Sequence, residues 1–99
     1  MIIYIAGKMA GDEDYKYKFL KAEYKLRSRG HIVLNPATLP QGMPADKYMP
    51  ICISMLQQAD ALCIIGDDWQ DSRGVSLEKA FAEYQGKEIT YMPSLELSI

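Results

Sequence analysis

Residues 61–78 read Ala-Leu-Cys-Ile-Ile-Gly-Asp-Asp-Trp-Gln-Asp-Ser-Arg-Gly-Val-Ser-Leu-Glu. An apolar run ends at Gly66, an acidic loop follows, and Ser72 comes where a helical pattern begins. A short apolar run without polar interruptions is typical of a strand that is buried on both faces. Serine directly before a helix is a favourable N-cap residue. The stretch therefore predicts a strand, a loop and a helix, which is the repeating unit of a parallel sheet.

The rest of the chain repeats this alternation. Besides Ala61–Ile65, short apolar or β-branched runs predict strands at Ile2–Ala6, Ile32–Leu34 and Glu88–Met92. The order β-α-β-α-β-α-β with right-handed crossovers gives a parallel sheet covered by helices on both faces. We therefore expect one three-layer α/β domain spanning residues 1–99, Rossmann-like or flavodoxin-like, with a four-stranded sheet in the order 2-1-3-4.

Apolar residues at helical spacing predict three helices between these strands. The residues expected to face the sheet are Tyr15, Phe19, Ala22 and Leu26 in the first helix, Tyr48, Cys52, Met55 and Ala59 in the second, and Leu77, Ala80, Phe81 and Tyr84 in the third. The second helix begins either with Asp46 as its cap or with Pro50 in its first turn. The third runs from about Arg73 to Tyr84. Residues 36–44 contain three prolines and predict a long loop that could serve as a lid.

Composition excludes several classes of function. The net charge is −2 and no basic stripe is present, so the chain is not expected to bind a nucleic-acid polymer. No apolar run approaches the roughly 20 residues of a membrane span, so no membrane partner is expected. Cys52 and Cys63 lack metal-binding or redox spacing and predict reduced, buried thiols in a cytoplasmic protein. We expect neither a metal nor a cofactor.

The predicted strand order places a ligand site between the first and third strands. Ligands of such sheets bind beyond the carboxyl ends of the strands, where the chain reverses direction. Residues 4–9 and 66–78 meet there. Ser72 and the free N–H groups near Gly74 would form an anion cradle, and Glu78 would bring a carboxylate to the same ligand.

Each of these residues also has a purely structural interpretation. Glu78 can be a first-turn glutamate that favours the helix dipole, and Tyr4 can be a core residue with a satisfied hydroxyl. Gly74 can simply tolerate a helix start. Trp69 lies in an acidic loop, which favours a wall for base stacking over buried core.

The motifs in this order resemble the nucleoside 2-deoxyribosyltransferase-like superfamily, and most closely a small phage-associated branch of it. The Ser-x-Gly-x-x-x-Glu motif at 72–78 is also similar to that of the deoxynucleoside monophosphate N-glycosidases in this superfamily. The segments that carry the resemblance are Tyr4-Ile5-Ala6-Gly7, residues 27–36, residues 56–60, Trp69 and residues 72–78.

The resemblance implies cleavage of the bond between a 2-deoxyribose and its base. Glu78 would be the nucleophile and Tyr4 would orient its carboxylate. Ser72 and the backbone near Gly7 would hold the 5′-phosphate or 5′-hydroxyl. We expect Lys8, Gly74, Asp68 and Trp69 to complete the site for a nucleoside or nucleotide. The resemblance also implies a homo-oligomer, which the tyrosine-rich first helix and the small core favour as well.

The chain departs from that superfamily at one position. The family places a carboxylate, which assists the departing base, eight residues before the Asp of its Ala-Asp pair. Counting back from Asp60 gives Cys52. A thiol does not replace this carboxylate, although Asp67, Asp68 or Asp71 could supply an acid from the loop. The alternative function is therefore a non-catalytic module that binds a nucleotide or a nucleotide-derived signal.

Overall fold

A computed structural model describes residues 1–99 of the chain. Its strands are β1 (Ile2–Ala6), β2 (Ile32–Leu34), β3 (Ala61–Ile65) and β4 (Glu88–Met92), and its helices are α1 (Tyr15–Ser28), α2 (Ala45–Gln57), α3 (Arg73–Tyr84) and the short α4 (Ser94–Leu97). Two further 3₁₀ turns cover Pro36–Thr38 and Trp69–Asp71. All four predicted strands are confirmed, and so are the bounds of the third helix. Helix α4 follows the last predicted strand and was not among the predicted helices.

The four strands form one parallel sheet in the order β2-β1-β3-β4, which confirms the predicted α/β fold. The register pairs Ile3 with Ala61 and Ala6 with Ile64 across the two central strands. Every residue of β3 is buried, as its uninterrupted apolar sequence predicts. The connection from β1 leads to β2 on one side, and the next strand, β3, is added on the other side of β1. The strand order therefore reverses between β1 and β3, which is the predicted switch point.

Helices cover both faces of the sheet and divide the core into two clusters. On one face, Phe19, Ala22 and Leu26 of α1 and Leu97 of α4 pack against alternate strand residues such as Ile5. On the other face, α2 and α3 pack against Tyr4, Ala6 and Leu62. Both cysteines are buried and free. None of the helices is long and apolar enough to cross a bilayer.

Helix α3 is rotated relative to the prediction. Leu77 and Tyr84, which were expected to face the sheet, are exposed, and Ala80 is exposed as well. The buried residues of α3 are instead Val75, Glu78 and Ala82, which lie on the opposite side of the helix. Of the four residues expected to face the sheet, only Phe81 packs against the core, where it is half-buried. The expectation was wrong for the other three because it oriented the helix by its large apolar residues, whereas the fold turns a carboxylate inward.

The start of α2 also differs from both alternatives. Pro44 occupies the N-cap position, Asp46 lies in the first turn without capping the helix, and Pro50 lies inside it. A proline ring has no N–H to donate to the preceding turn, so the helix lacks one bond at Pro50. Ala59, which was predicted to lie on α2, is buried but follows the end of the helix. Leu56, which was not among the predicted residues, is buried on the sheet-facing side of α2.

Candidate functional site

The switch point of the sheet opens into a cavity of about 110 Å³ between β1, α2 and α3. Its wall contains Tyr4, Gly7, Ser72, Gly74 and Glu78, five of the eight residues predicted for the site. These residues come from segments up to 74 positions apart in the chain. The fold thus brings together most of the predicted site at the predicted place.

The centre of this cavity is a hydrogen bond between Tyr4 and Glu78. The Tyr4 hydroxyl donates to the Glu78 carboxylate Oε2. Because successive side chains of a strand point to opposite faces of the sheet, Tyr4 faces α2 and α3. Glu78 lies on the side of α3 that faces the sheet, so its carboxylate points toward β1. The side chain of Tyr4 is fully buried and Glu78 is only 5% exposed. The carboxylate therefore has a single side-chain partner and borders the cavity.

Burial changes the acid–base properties of this pair. Loss of solvent raises the pKa of Glu78 from 4.5 to about 7, although the hydrogen bond from Tyr4 acts in the opposite direction. The pKa of Tyr4 is raised well above its usual range, chiefly by burial and further by the neighbouring carboxylate. Tyr4 is thus a permanent donor, and Glu78 changes charge near neutral pH. Carboxylates tuned in this way are characteristic of functional sites.

The N-terminus of α3 forms the second part of the cavity wall. Ser72 is the N-cap residue, and its Oγ accepts from the Val75 N–H at 3.2 Å. Gly74 follows in the first turn with the Met49 sulfur as its nearest neighbour, 3.4 Å from where a Cβ would lie. The remaining N–H groups of this turn have no partner within the helix, so the turn can receive an anion.

Gly7 follows the carboxyl end of β1 and is packed tightly against Ile65 and Phe19. A Cβ at this position would lie 2.7 Å from Cγ1 of Ile65 and 3.2 Å from the Phe19 ring. Only glycine fits without displacing these buried side chains. Gly7 borders the same cavity as Ser72 and Gly74 of the α3 start.

A second, wider cavity of about 360 Å³ adjoins the first. The proline-containing loop forms much of its wall through Leu39, Gln41 and Met43. Tyr15 of α1 also borders it, and its hydroxyl accepts a hydrogen bond from the Gln41 amide at 3.1 Å. The two cavities share the residues Met9, Ala10, Pro36 and Tyr48 and therefore meet along them.

Three predicted site residues do not border either cavity. Lys8 is half-buried with its Nζ 3.9 Å from the Asp71 carboxylate. Asp68 is exposed and precedes the Trp69–Asp71 turn. Trp69 is half-buried, packs against the sheet cluster and lies 5.7 Å from the Tyr91 ring, with Lys79 near its face. The stacking role of Trp69 thus stays a prediction, and its packing on the core differs from what the acidic loop suggested.

Two residues of α2 belong to the site in addition. Tyr48 and Cys52 lie one turn apart and border the cavity beside Tyr4 and Glu78. Burial raises the pKa of the Cys52 thiol above its usual range, so it remains a thiol rather than a thiolate. Their spacing of four puts them on one helix face; Cys52 had been noted as the position of the superfamily's carboxylate, whereas Tyr48 had been expected only to pack on the sheet. No three side chains of the metal-binding types come together.

The fold and site define a small α/β protein with a cleft at the switch point of its parallel sheet and a buried carboxylate inside it. Residues 1–91 match the family described as "Domain of unknown function (DUF4406)", and the chain belongs to that family. A search of the curated proteins gave no match.

Proposed function

We propose that the chain is an N-glycosidase or 2-deoxyribosyltransferase acting on a deoxynucleoside or its 5′-monophosphate. The observation that carries this proposal is the buried Tyr4–Glu78 hydrogen bond at the wall of the switch-point cavity. A retaining glycosyl transfer needs a carboxylate that can form an ester with the anomeric carbon. Glu78 is the only acidic residue that borders either cavity.

The size of the two cavities supports a ligand that occupies both. The first cavity, at about 110 Å³, is smaller than the roughly 300 Å³ at which ligand pockets begin, so a ligand that reaches Glu78 has room only if it also extends into the second cavity of about 360 Å³. A phosphate at Ser72 and Gly74 would place the sugar beside Glu78. The base would then extend past Tyr48 into the second cavity, whose wall is mainly apolar and also contains the hydrogen-bonded side chains of Gln41 and Tyr15.

The proposed reaction has two steps. A Glu78 carboxylate oxygen attacks C1′ of the sugar, and the electron pair of the C1′–N bond leaves with the base. Water then attacks C1′ of the ester, which frees the carboxylate; one proton of the water stays on the sugar and the other reaches the base. Another base in place of water gives transfer. Tyr4 holds the carboxylate in line and stabilises its ionised form before the attack on C1′ and after the ester is cleaved.

The direct test is incubation of the protein with 2′-deoxynucleoside 5′-monophosphates, followed by chromatographic detection of free base. We expect Glu78→Gln to bind these nucleotides but to lose base release by orders of magnitude, because the nucleophile is missing. Glu83→Gln is the matched control, since Glu83 lies on the same helix and is exposed. Absence of base release from the unaltered protein with any of the four nucleotides would refute the enzymatic proposal.

Phosphate anchoring is tested separately. Ser72→Ala should weaken the binding of 5′-monophosphates more than that of the matching nucleosides. An equal loss of affinity for both ligand types would contradict the proposal that Ser72 binds the phosphate.

A second candidate function is favoured by Cys52. This residue occupies the position at which the resembled superfamily has a leaving-group carboxylate, and it is a buried neutral thiol. A pocket without that carboxylate would suit a module that binds a nucleotide without cleaving it. Tight nucleotide binding without base release would support this function.

A further inference from the structure

The cavity wall contains a hydroxyl that the proposed reaction has not yet used. Four residues border both cavities, namely Met9, Ala10, Pro36 and Tyr48. Of their side chains, only that of Tyr48 carries a hydrogen that can be donated. Its hydroxyl therefore lies along the boundary where a ligand would pass from one cavity to the other.

We propose that Tyr48 is the hydrogen-bond donor to the departing base, in place of the carboxylate that Cys52 does not provide. The inference rests on the proposed function. With the sugar beside Glu78 and the base in the second cavity, the C1′–N bond crosses the boundary on which Tyr48 lies. As this bond breaks, negative charge develops on the base, and a donor at this point stabilises the transition state.

The present contacts of Tyr48 are compatible with this role. Its hydroxyl lies 3.0 Å from the Pro36 carbonyl oxygen and 3.1 Å from the Met9 sulfur. One hydrogen cannot serve both acceptors, and sulfur is a weak acceptor. The hydroxyl can thus rotate about its C–O bond toward a ligand while the ring stays in place.

Tyr48 donates the hydrogen bond and keeps its proton through the reaction. Burial and the neighbouring Cys52 raise the pKa of Tyr48 well above its usual range, so full transfer of the proton to the base is unfavourable. The base instead takes the electron pair of the C1′–N bond and receives a proton from the water that later attacks C1′. Tyr48 stabilises the charge between these events.

The test compares two substrates whose bases differ in the negative charge that they carry when the C1′–N bond breaks. The unaltered protein and Tyr48→Phe are assayed with deoxyguanosine 5′-monophosphate and with its 7-methyl derivative, whose base leaves as a neutral molecule. We expect Tyr48→Phe to lower kcat/KM by about 10- to 100-fold for the first substrate, the size of a lost hydrogen bond to a charged group. The loss for the methylated substrate should be at most a few-fold.

A purely structural role for Tyr48 gives a different pattern. If the hydroxyl only tethers the proline-containing loop through Pro36, both substrates lose the same factor, and that result overturns the proposal. Tyr24→Phe on the exposed side of α1 is the control and should leave both rates unchanged. If the unaltered protein releases no base from these substrates or from the other three deoxynucleoside monophosphates, the proposed function fails together with this inference; if it releases a different base, the same comparison is made with that nucleotide and its N-methylated, cationic form. If it cleaves both and Tyr48→Phe matches it, only the role of Tyr48 fails.

Discussion

Glu78→Gln should change how the stability of the protein depends on pH. The carboxylate has an ordinary pKa of 4.5 and, in the folded protein, a pKa raised to about 7 by burial. The folded state therefore holds this proton more tightly than the unfolded state. The stability that comes from the neutral form is fully present below pH 4.5, falls as the pH rises, and is lost above about pH 7.

The magnitude follows from the two pKa values. Raising the pKa from 4.5 to about 7 makes ionisation in the folded state cost about 3 kcal/mol. Because Glu78 is 5% exposed, little solvent screening reduces this cost. Glutamine keeps the shape and can still accept from Tyr4, but it never ionises. From pH 4.5 to pH 8, the unaltered protein should thus lose about 3 kcal/mol relative to Glu78→Gln.

Urea denaturation followed by Trp69 fluorescence measures this difference. Both proteins are unfolded at several pH values between 4.5 and 8, and the difference in the free energy of unfolding is plotted against pH. Subtraction removes the titration of the other carboxylates, including Asp12, whose pKa the hydrogen bond from Lys18 lowers. Glu83→Gln on the exposed side of α3 should differ from the unaltered protein by less than about 0.5 kcal/mol at every pH. A flat difference for Glu78→Gln would show that its carboxylate is well solvated and would refute the reasoning.

Three further predictions concern the site and the surface. Base release needs the ionised Glu78 carboxylate, so its rate should be half-maximal at a pH of about 7. Because the hydrogen bond from Tyr4 lowers the pKa of Glu78, Tyr4→Phe should move this half-maximal pH upward, and an unmoved pH–rate profile would contradict this. Gly7→Ala should lower the free energy of unfolding by about 1–3 kcal/mol, since its Cβ would lie 2.7 Å from Ile65, and urea denaturation at constant pH measures this. The chain should be a homo-oligomer in light scattering, and Leu77→Glu should shift it toward 11.2 kDa, because Leu77 and Tyr84 are 52% and 87% exposed; a monomer before substitution would contradict this.

The fold was predictable because its signals are local and agree with one another. The apolar run at Ala61–Ile65 has no polar residue to break it, so its burial on both faces could be read directly. Gly30 and Gly86 follow helix ends with positive φ, as helix-terminating glycines do. The alternation of strands and helices predicted the topology. The topology in turn predicted that the end of β1 and the start of α3 lie at the same edge of the sheet.

The second cavity was less accessible to prediction. Its wall comes from the proline-containing loop and from Tyr15, and no periodicity relates these residues. The shared position of Tyr48 between two cavities depends on how α2 packs over the end of β1, which is a property of tertiary structure. A spacing of four between Tyr48 and Cys52 indicated a common helix face but not what that face would meet.

The orientation of α3 decides between two expectations about the same helix, namely that Leu77 and Tyr84 face the sheet and that Glu78 faces the switch-point site. Helices normally turn their largest apolar residues inward, since that buries the most surface. Here Val75 and Ala82 are buried together with Glu78, while Leu77 and Tyr84 remain in solvent. Phe81 is half-buried against the same cluster, but Leu77 and Tyr84 cannot face the sheet while Glu78 points into the cavity, because they lie on different sides of the helix. A fold that gives up apolar burial to place a carboxylate under a tyrosine loses stability at neutral pH, and such losses concentrate at functional sites. The exposed Leu77 and Tyr84 are the other consequence of this orientation, and a second copy of the chain would restore the burial that α3 gives up.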